Sequence, residues 1–167
     1  MIKILTTFQC ALVAILMAVL GLATDYWKVW WMVEKATNIK RMYNAGLFYE
    51  CSEATNNNSV LIINHDCTSL KREDWAGAVV AFIILAMICH LIAFIFALVN
   101  ACRKGEPFPV FWVCGLFLFA ALFVVIGLLV YTFINWESDI YFSWSYGGGW
   151  STVALSVIAL VLILADR

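Results

Sequence analysis

Residues 75 to 102, WAGAVVAFIILAMICHLIAFIFALVNAC, contain no aspartate, glutamate, lysine or arginine. A helix rises about 1.5 Å per residue, so roughly 20 residues cross the ~30 Å hydrocarbon core of a bilayer, and this stretch exceeds that length. Three further uncharged runs, at 4 to 24, 107 to 136 and 140 to 165, do the same. Lipid offers an open backbone no hydrogen-bond partner, which makes each crossing a helix. Four transmembrane helices are expected, at about 4–22, 76–100, 110–134 and 146–165.

Composition points the same way. The chain of 167 residues is 65% apolar and 13% charged, against about 45–50% and 25% for an ordinary soluble domain. Its formal net charge of -1 comes with no polybasic stretch, so nucleic acid is not an expected partner. The first run is longer than the ~7–15-residue core of a signal peptide, and Thr24-Asp25-Tyr26 offers no small-x-small cleavage site; it is read as a retained helix.

Four crossings place both termini on one side and leave a long loop (about 23–75) and two short ones (101–109 and 135–145). The loop 101–109 carries Arg103 and Lys104, whereas 135–145 carries Glu137 and Asp139 and no base. Basic residues favour the cytoplasmic side, which makes the termini cytoplasmic and the long loop extracellular. Asn57-Asn58-Ser59 in that loop is a sequon that makes Asn57 a glycosylation candidate, in keeping with the same assignment.

Of six cysteines, Cys51 and Cys67 alone lie outside the expected spans and the cytoplasmic loop. An oxidising compartment pairs them, and closing a loop of about 15 residues stabilises the fold by roughly 3 kcal/mol. Between them, 53–59 reads as a polar turn and 59–64, with Val60, Leu61, Ile62 and Ile63, as a β-branched strand, together a stapled hairpin. Strand signals at 27–33 and 46–50 enlarge this to a small antiparallel sheet, which must pack on the helix tops to be stable. Cys10, Cys89 and Cys114 read as small apolar side chains. Cys102, juxtamembrane beside Arg103 and Lys104, is a candidate for S-palmitoylation.

Trp27, Trp30, Trp31, Trp75, Trp136 and Trp144 all fall near one membrane interface. An aromatic belt accounts for them, with Trp30 and Trp31 the candidates for packing in the sheet or meeting a partner. Small residues repeat at helical spacing in Ala14 and Ala18, in Ala93, Ala97 and Ala101, and in the pairs Gly147/Ser151 and Gly148/Thr152; such residues let helices approach closely in lipid. Gly147-Gly148-Gly149 costs helix stability of about 1 kcal/mol per glycine, so a loosened helix start or a very close neighbour is expected there.

The order of apolar span, Trp30 or a neighbouring tryptophan, Ala45-Gly46-Leu47-Phe48, Cys51 and Cys67 resembles the tryptophan, Gly-Leu-Trp, Cys, Cys signature of the claudin superfamily, with Phe48 in place of the second tryptophan. That superfamily includes peripheral myelin protein, epithelial membrane proteins, the lens fibre membrane protein and calcium-channel gamma subunits. Tyr141-Phe142-Ser143-Trp144-Ser145-Tyr146 is similar to the start of helix four in the lens fibre and gamma-subunit branches. The resemblance implies an all-α membrane protein, a left-handed four-helix bundle bearing a small extracellular β-sheet whose disulfide joins two strands.

Catalysis is not expected. His90 is the one ionisable histidine in a span, with no carboxylate or second histidine there, and reads as an interhelical hydrogen-bonding group; His65-Asp66 reads as loop polarity. No metal or cofactor is expected, and uncharged helices two, three and four argue against a pore through the monomer. For paracellular conduction the outer charges Glu34, Lys35, Glu50, Glu53 and Asp66 would set ion preference. Two functions follow. The first is cell–cell contact or junction organisation at the plasma membrane through the outer sheet and lateral self-assembly, with 60–63 as an exposed apolar contact. The second is an auxiliary subunit of an ion channel or receptor pore.

Overall fold

The computed structural model describes residues 2–34, 39–56, 62–70, 74–103 and 107–165. Its elements are α1 (Ile2–Ala23), β1 (Lys28–Glu34), β2 (Ile39–Ala45), β3 (Tyr49–Asn56), β4 (Ile62–Ser69), α2 (Asp74–Cys102), α3 (Val110–Ile134), β5 (Tyr141–Phe142) and α4 (Trp144–Ala165). All four helices are long and apolar enough to cross a membrane. α1, α2 and α4 each begin two residues before the expected start.

The helices form a four-membered ring in which α1 and α3 each pack on α2 and α4. Buried positions recur at alternating steps of three and four: Thr7, Ala11, Ala14, Ala18 and Gly21 in α1, Val79, Ile83, Ala86, His90, Ala93 and Ala97 in α2. That mean repeat near 3.5 is the pattern of a left-handed bundle. The α1 seam is made of alanine, glycine and threonine, which lets backbones close in where hydrocarbon supplies no hydrophobic driving force between helices. Outward positions carry leucine, isoleucine, valine and phenylalanine instead, and these stay exposed on the lipid-facing surface.

Helix ends are closed by their own side chains. Thr24 Oγ1 donates to the Leu20 carbonyl at 2.6 Å, Asn100 Nδ2 to Phe96 at 2.9 Å and Asn135 Nδ2 to Tyr131 at 2.9 Å, satisfying carbonyls that a helix terminus leaves open. Pro109, which lacks an N–H to waste, stands at the α3 start.

The sheet is antiparallel with strand order β4-β3-β2-β1-β5. Trp30 lies opposite Tyr43, Tyr43 opposite Ser52 and Ser52 opposite Asp66, with a bulge at Ala54/Thr55. Cys51 and Cys67 are direct cross-strand partners, joined by a disulfide. Two expectations change. The strand signal at 46–50 is mostly a turn, with β3 starting at Tyr49, and the polar stretch expected to turn from residue 53 continues as strand to Asn56. β2 and β5 were not foreseen: β2 lacks strict apolar alternation because both faces of the outer sheet are partly exposed, and β5 is a two-residue strand in the 135–145 loop.

Candidate functional site

The sheet stands on the bundle at a junction centred on Trp27. The last turn of α1 lies only four residues upstream, close enough for the side chain to fold back over it. Trp27 Nε1 donates to the Gly21 carbonyl at 2.6 Å, its backbone N–H donates to the Ala45 carbonyl at 3.0 Å, and the residue is fully buried. Its ring packs on Tyr131 from α3 at 4.8 Å and on Tyr146 from α4 at 6.2 Å. Tyr131 in turn meets Trp75 at 5.8 Å and Phe142 at 6.2 Å, and Phe142 stacks on Tyr146 at 4.6 Å. A void of about 10 Å³ beside this cluster, reaching Ile83, Val124, Gly149 and Thr152, is no larger than a single water needs.

Polar bonds ring the aromatic centre. The second short loop is tied to the start of β1 by Ser143 N–H to the Trp27 carbonyl at 3.0 Å and Ser145 N–H to the Tyr26 carbonyl at 3.2 Å. The Thr24 and Ser145 hydroxyls meet at 2.7 Å, and Thr132 and Tyr146 at 2.6 Å. Lys28 Nζ donates to Asn135 Oδ1 at 2.7 Å and lies 5.3 Å from the Trp30 ring centre. Asn44 Nδ2 donates to the Asp25 carbonyl at 3.1 Å, and burial pushes the Asp25 carboxyl up from the usual carboxylate range.

The Gly46-Leu47-Phe48 segment divides its roles. A Cβ at Gly46 would sit 2.7 Å from both Asp25 Cα and the Thr24 carbonyl oxygen, so only glycine allows the turn to seat on the end of α1. Leu47 is buried in the junction, and Phe48 is exposed. Cys51 is buried and Cys67 exposed at the outer edge of the sheet.

The belt reading of Trp27 is corrected: the buried tryptophan of the motif region is Trp27, not Trp30. Trp30 is half-buried and stacks flat on Tyr43, with ring centres 5.3 Å apart. Trp31 is 44% exposed, edge-on to Tyr141 at 5.4 Å and below the Lys40 ammonium at 5.8 Å. Trp136 and Trp144 are exposed as interface residues are, with Trp144 stacked on Tyr26 at 5.9 Å. Three tryptophans within five residues are alike in composition. Proximity to the end of α1 was the one signal that set Trp27 apart.

Among the small residues, Ala14, Ala18, Ala93 and Ala97 are buried, while Ala101 is exposed beyond the helix contacts. Gly147 faces open space, and Gly148 approaches the Met17 carbonyl. Together they floor a groove of about 440 Å³ between α1 and α4. Gly149 is the close approach: a Cβ there would meet Leu128 Cδ2 at 2.7 Å. His90 is fully buried, with Nε2 2.9 Å from Ser156 Oγ on α4.

Cys102 ends α2 and is exposed. Asn57, Val60, Leu61 and Lys35 lie outside the described residues, and Ile62 and Ile63 are placed by backbone in β4. Among the described residues, no three His, Cys, Asp or Glu side chains gather to hold a metal.

A family model described as the PMP-22/EMP/MP20/Claudin family matches residues 1–163. Claudin domain-containing protein 2 of Homo sapiens is 26% identical over 158 residues, covering 93% of this chain and 82% of that protein. Claudin domain-containing protein 2 of Mus musculus is 25% identical over 157 residues, covering 93% and 81%.

Proposed function

The chain belongs to the PMP-22/EMP/MP20/claudin family, and from that membership we propose that it is a non-catalytic organiser of cell–cell contacts, with its sheet outside the plasma membrane and both termini in the cytoplasm. The basic pair Arg103 and Lys104 between α2 and α3, the acidic loop between α3 and α4, the sequon at Asn57 and the Cys51–Cys67 disulfide all support that orientation.

The observation that carries the reading is a rigidly seated platform with a sticky outer part. Trp27, Gly46 and the second short loop fix the base of the sheet to all four helices, while Trp31, Met32 and Val33 of β1 remain 44%, 57% and 57% exposed. A monomer gains nothing from holding such side chains in water, whereas a neighbour that buries them stabilises the contact. Lateral assembly in the membrane belongs to the same reading, through the exposed apolar helix faces and the α1–α4 groove.

Mixed cultures of expressing and non-expressing cells test it. Enrichment at contacts between two expressing cells is expected, and uniform distribution over the cell surface would overturn the adhesive role. A second reading, an auxiliary subunit for a channel or receptor, draws on the aromatic patch of Phe133 and Trp136, 79% and 74% exposed at the sheet end of α3. Purification in mild detergent separates the two: a stoichiometric pore-forming partner favours the second and self-ladders the first.

A further inference from the structure

The buried seam of α4 is mostly small and polar: Ser145, Thr152, Ser156, Ala159 and Ile163. Hydrocarbon gives such a seam no hydrophobic drive toward one register, so individual contacts have to choose the height of α4 against its neighbours. Two contacts do so.

The first is polar. His90 of α2 reaches diagonally across the ring to Ser156, with Nε2 2.9 Å from Oγ and both residues fully buried. Ser156 gives its single proton to the Thr152 carbonyl at 3.0 Å, so its oxygen accepts and the imidazole proton sits on Nε2. Nδ1 is buried without a hydrogen-bond partner among the described residues. The donor of His90 therefore depends on a hydroxyl of α4. The pair stands where the apolar core divides, between a cluster containing Ala86 and Val124 and another containing Ala93 and Ala159.

That hydroxyl has a spare. Thr152, one turn nearer the sheet, is also buried and gives its own proton to the Gly148 carbonyl at 3.2 Å, which leaves its oxygen able to accept. Sliding α4 by one turn, ~5.4 Å away from the sheet, puts Thr152 where Ser156 stands and lets the bond to His90 form again. The same slide puts Ser145 where Gly149 stands. A single added carbon there comes 2.7 Å from Leu128 Cδ2, so the Cβ of Ser145 is refused. The opposite slide brings Val153 to Leu128 and Leu160 to His90, and fails on both counts.

We infer that α4 is a two-position element, latched by Gly149 against Leu128 and by Ser156 on His90, with Thr152 as the second acceptor it takes when the latch is opened. Displacement of one packed helix past another by a full turn, between two discrete positions, is an established form of switching. Its consequence here lies at the start of α4. Ser145 bonds Thr24 at 2.7 Å and the Tyr26 carbonyl at 3.2 Å, and Tyr146 bonds Thr132 at 2.6 Å, so the position of α4 sets how the sheet is seated. The inference does not depend on what the sheet binds.

Double-cysteine reporters in the full-length chain test it. The Thr24 and Ser145 oxygens are close enough for Thr24→Cys/Ser145→Cys to report the latched position, and Leu20→Cys/Ser145→Cys, one turn along α1, reports the displaced one. The effective concentration of each pair is measured against a glutathione couple in detergent, with peptide mass identifying the joined cysteines beside the native six. With Ser156→Ala or Leu128→Ala alone, both values are expected within twofold of the unsubstituted background. With the two combined, the displaced pair is expected to rise at least fivefold while the latched pair falls. Adding His90→Phe, which fills the space but donates nothing, is expected to bring the displaced pair back within twofold. No rise in the combined variant, or loss of both pairs together, overturns the second position. A rise that survives His90→Phe overturns Thr152 as the acceptor, and a larger shift from either single substitution overturns the two-point latch.

Discussion

Gly46 and Gly147 make opposite demands on a methyl group. At Gly46 the methyl would meet backbone, which cannot rotate away; at Gly147 it would meet nothing within 4 Å. Gly46→Ala is therefore expected to cost about 1–3 kcal/mol through overpacking. Gly147→Ala is expected to be neutral or to gain up to about 1 kcal/mol from helix propensity. The fraction of purified protein remaining monodisperse after heating in detergent reads both; equal loss for the two would refute the account of the Gly46 turn. The glycine triplet was legible as unusual from sequence, but which of its members is pressed was not. That depends on Leu128, 21 residues away in the chain and brought in by helix packing.

The β3–β4 hairpin is held by Cys51–Cys67 and by its ladder, and its outer strand has no covering partner among the described residues. Replacing Cys67 with serine removes a constraint worth roughly 3 kcal/mol on a loop of this length. Limited proteolysis in the hairpin is expected to speed up at least tenfold, with the helices left intact; unchanged cleavage would mean that the ladder alone holds it. Helices and hairpin were readable because each rests on a local signal, a long apolar run or a cysteine pair. β2 was not, since Ile39, Lys40, Arg41, Met42, Tyr43, Asn44 and Ala45 show no alternation of period two. β5 was invisible because two residues carry no pattern, and only β1 makes them a strand.

Sheet and bundle behave as one body because the same residues belong to both. Trp27, Leu47 and Phe142 from the outer part share a cluster with Ala18, Val79, Val124 and Tyr146 from the helices. Trp27→Ala is expected to cost about 3–5 kcal/mol, by loss of a large buried ring and its bond to Gly21. Trp136→Ala, at a residue 74% exposed, should stay within about 1 kcal/mol. Thermal denaturation of the two variants side by side checks this, and similar midpoints would show that Trp27 does not fix the platform. The left-handed bundle was legible from four apolar runs and the family resemblance. The centre of the junction was not, because its aromatic rings come from Trp27, Trp75, Tyr131, Phe142 and Tyr146, scattered along the chain and collected only by folding.

That gathering has a temporal side. Trp27 is synthesised early, yet the rings that enclose it, Tyr131 and Tyr146, arrive with the third and fourth helices. The nascent platform therefore has no seat until the final hydrophobic segment has been inserted. A chain halted before that moment displays an unsheathed indole on the face of the bundle that carries the sheet, a mark by which incomplete molecules differ from finished ones.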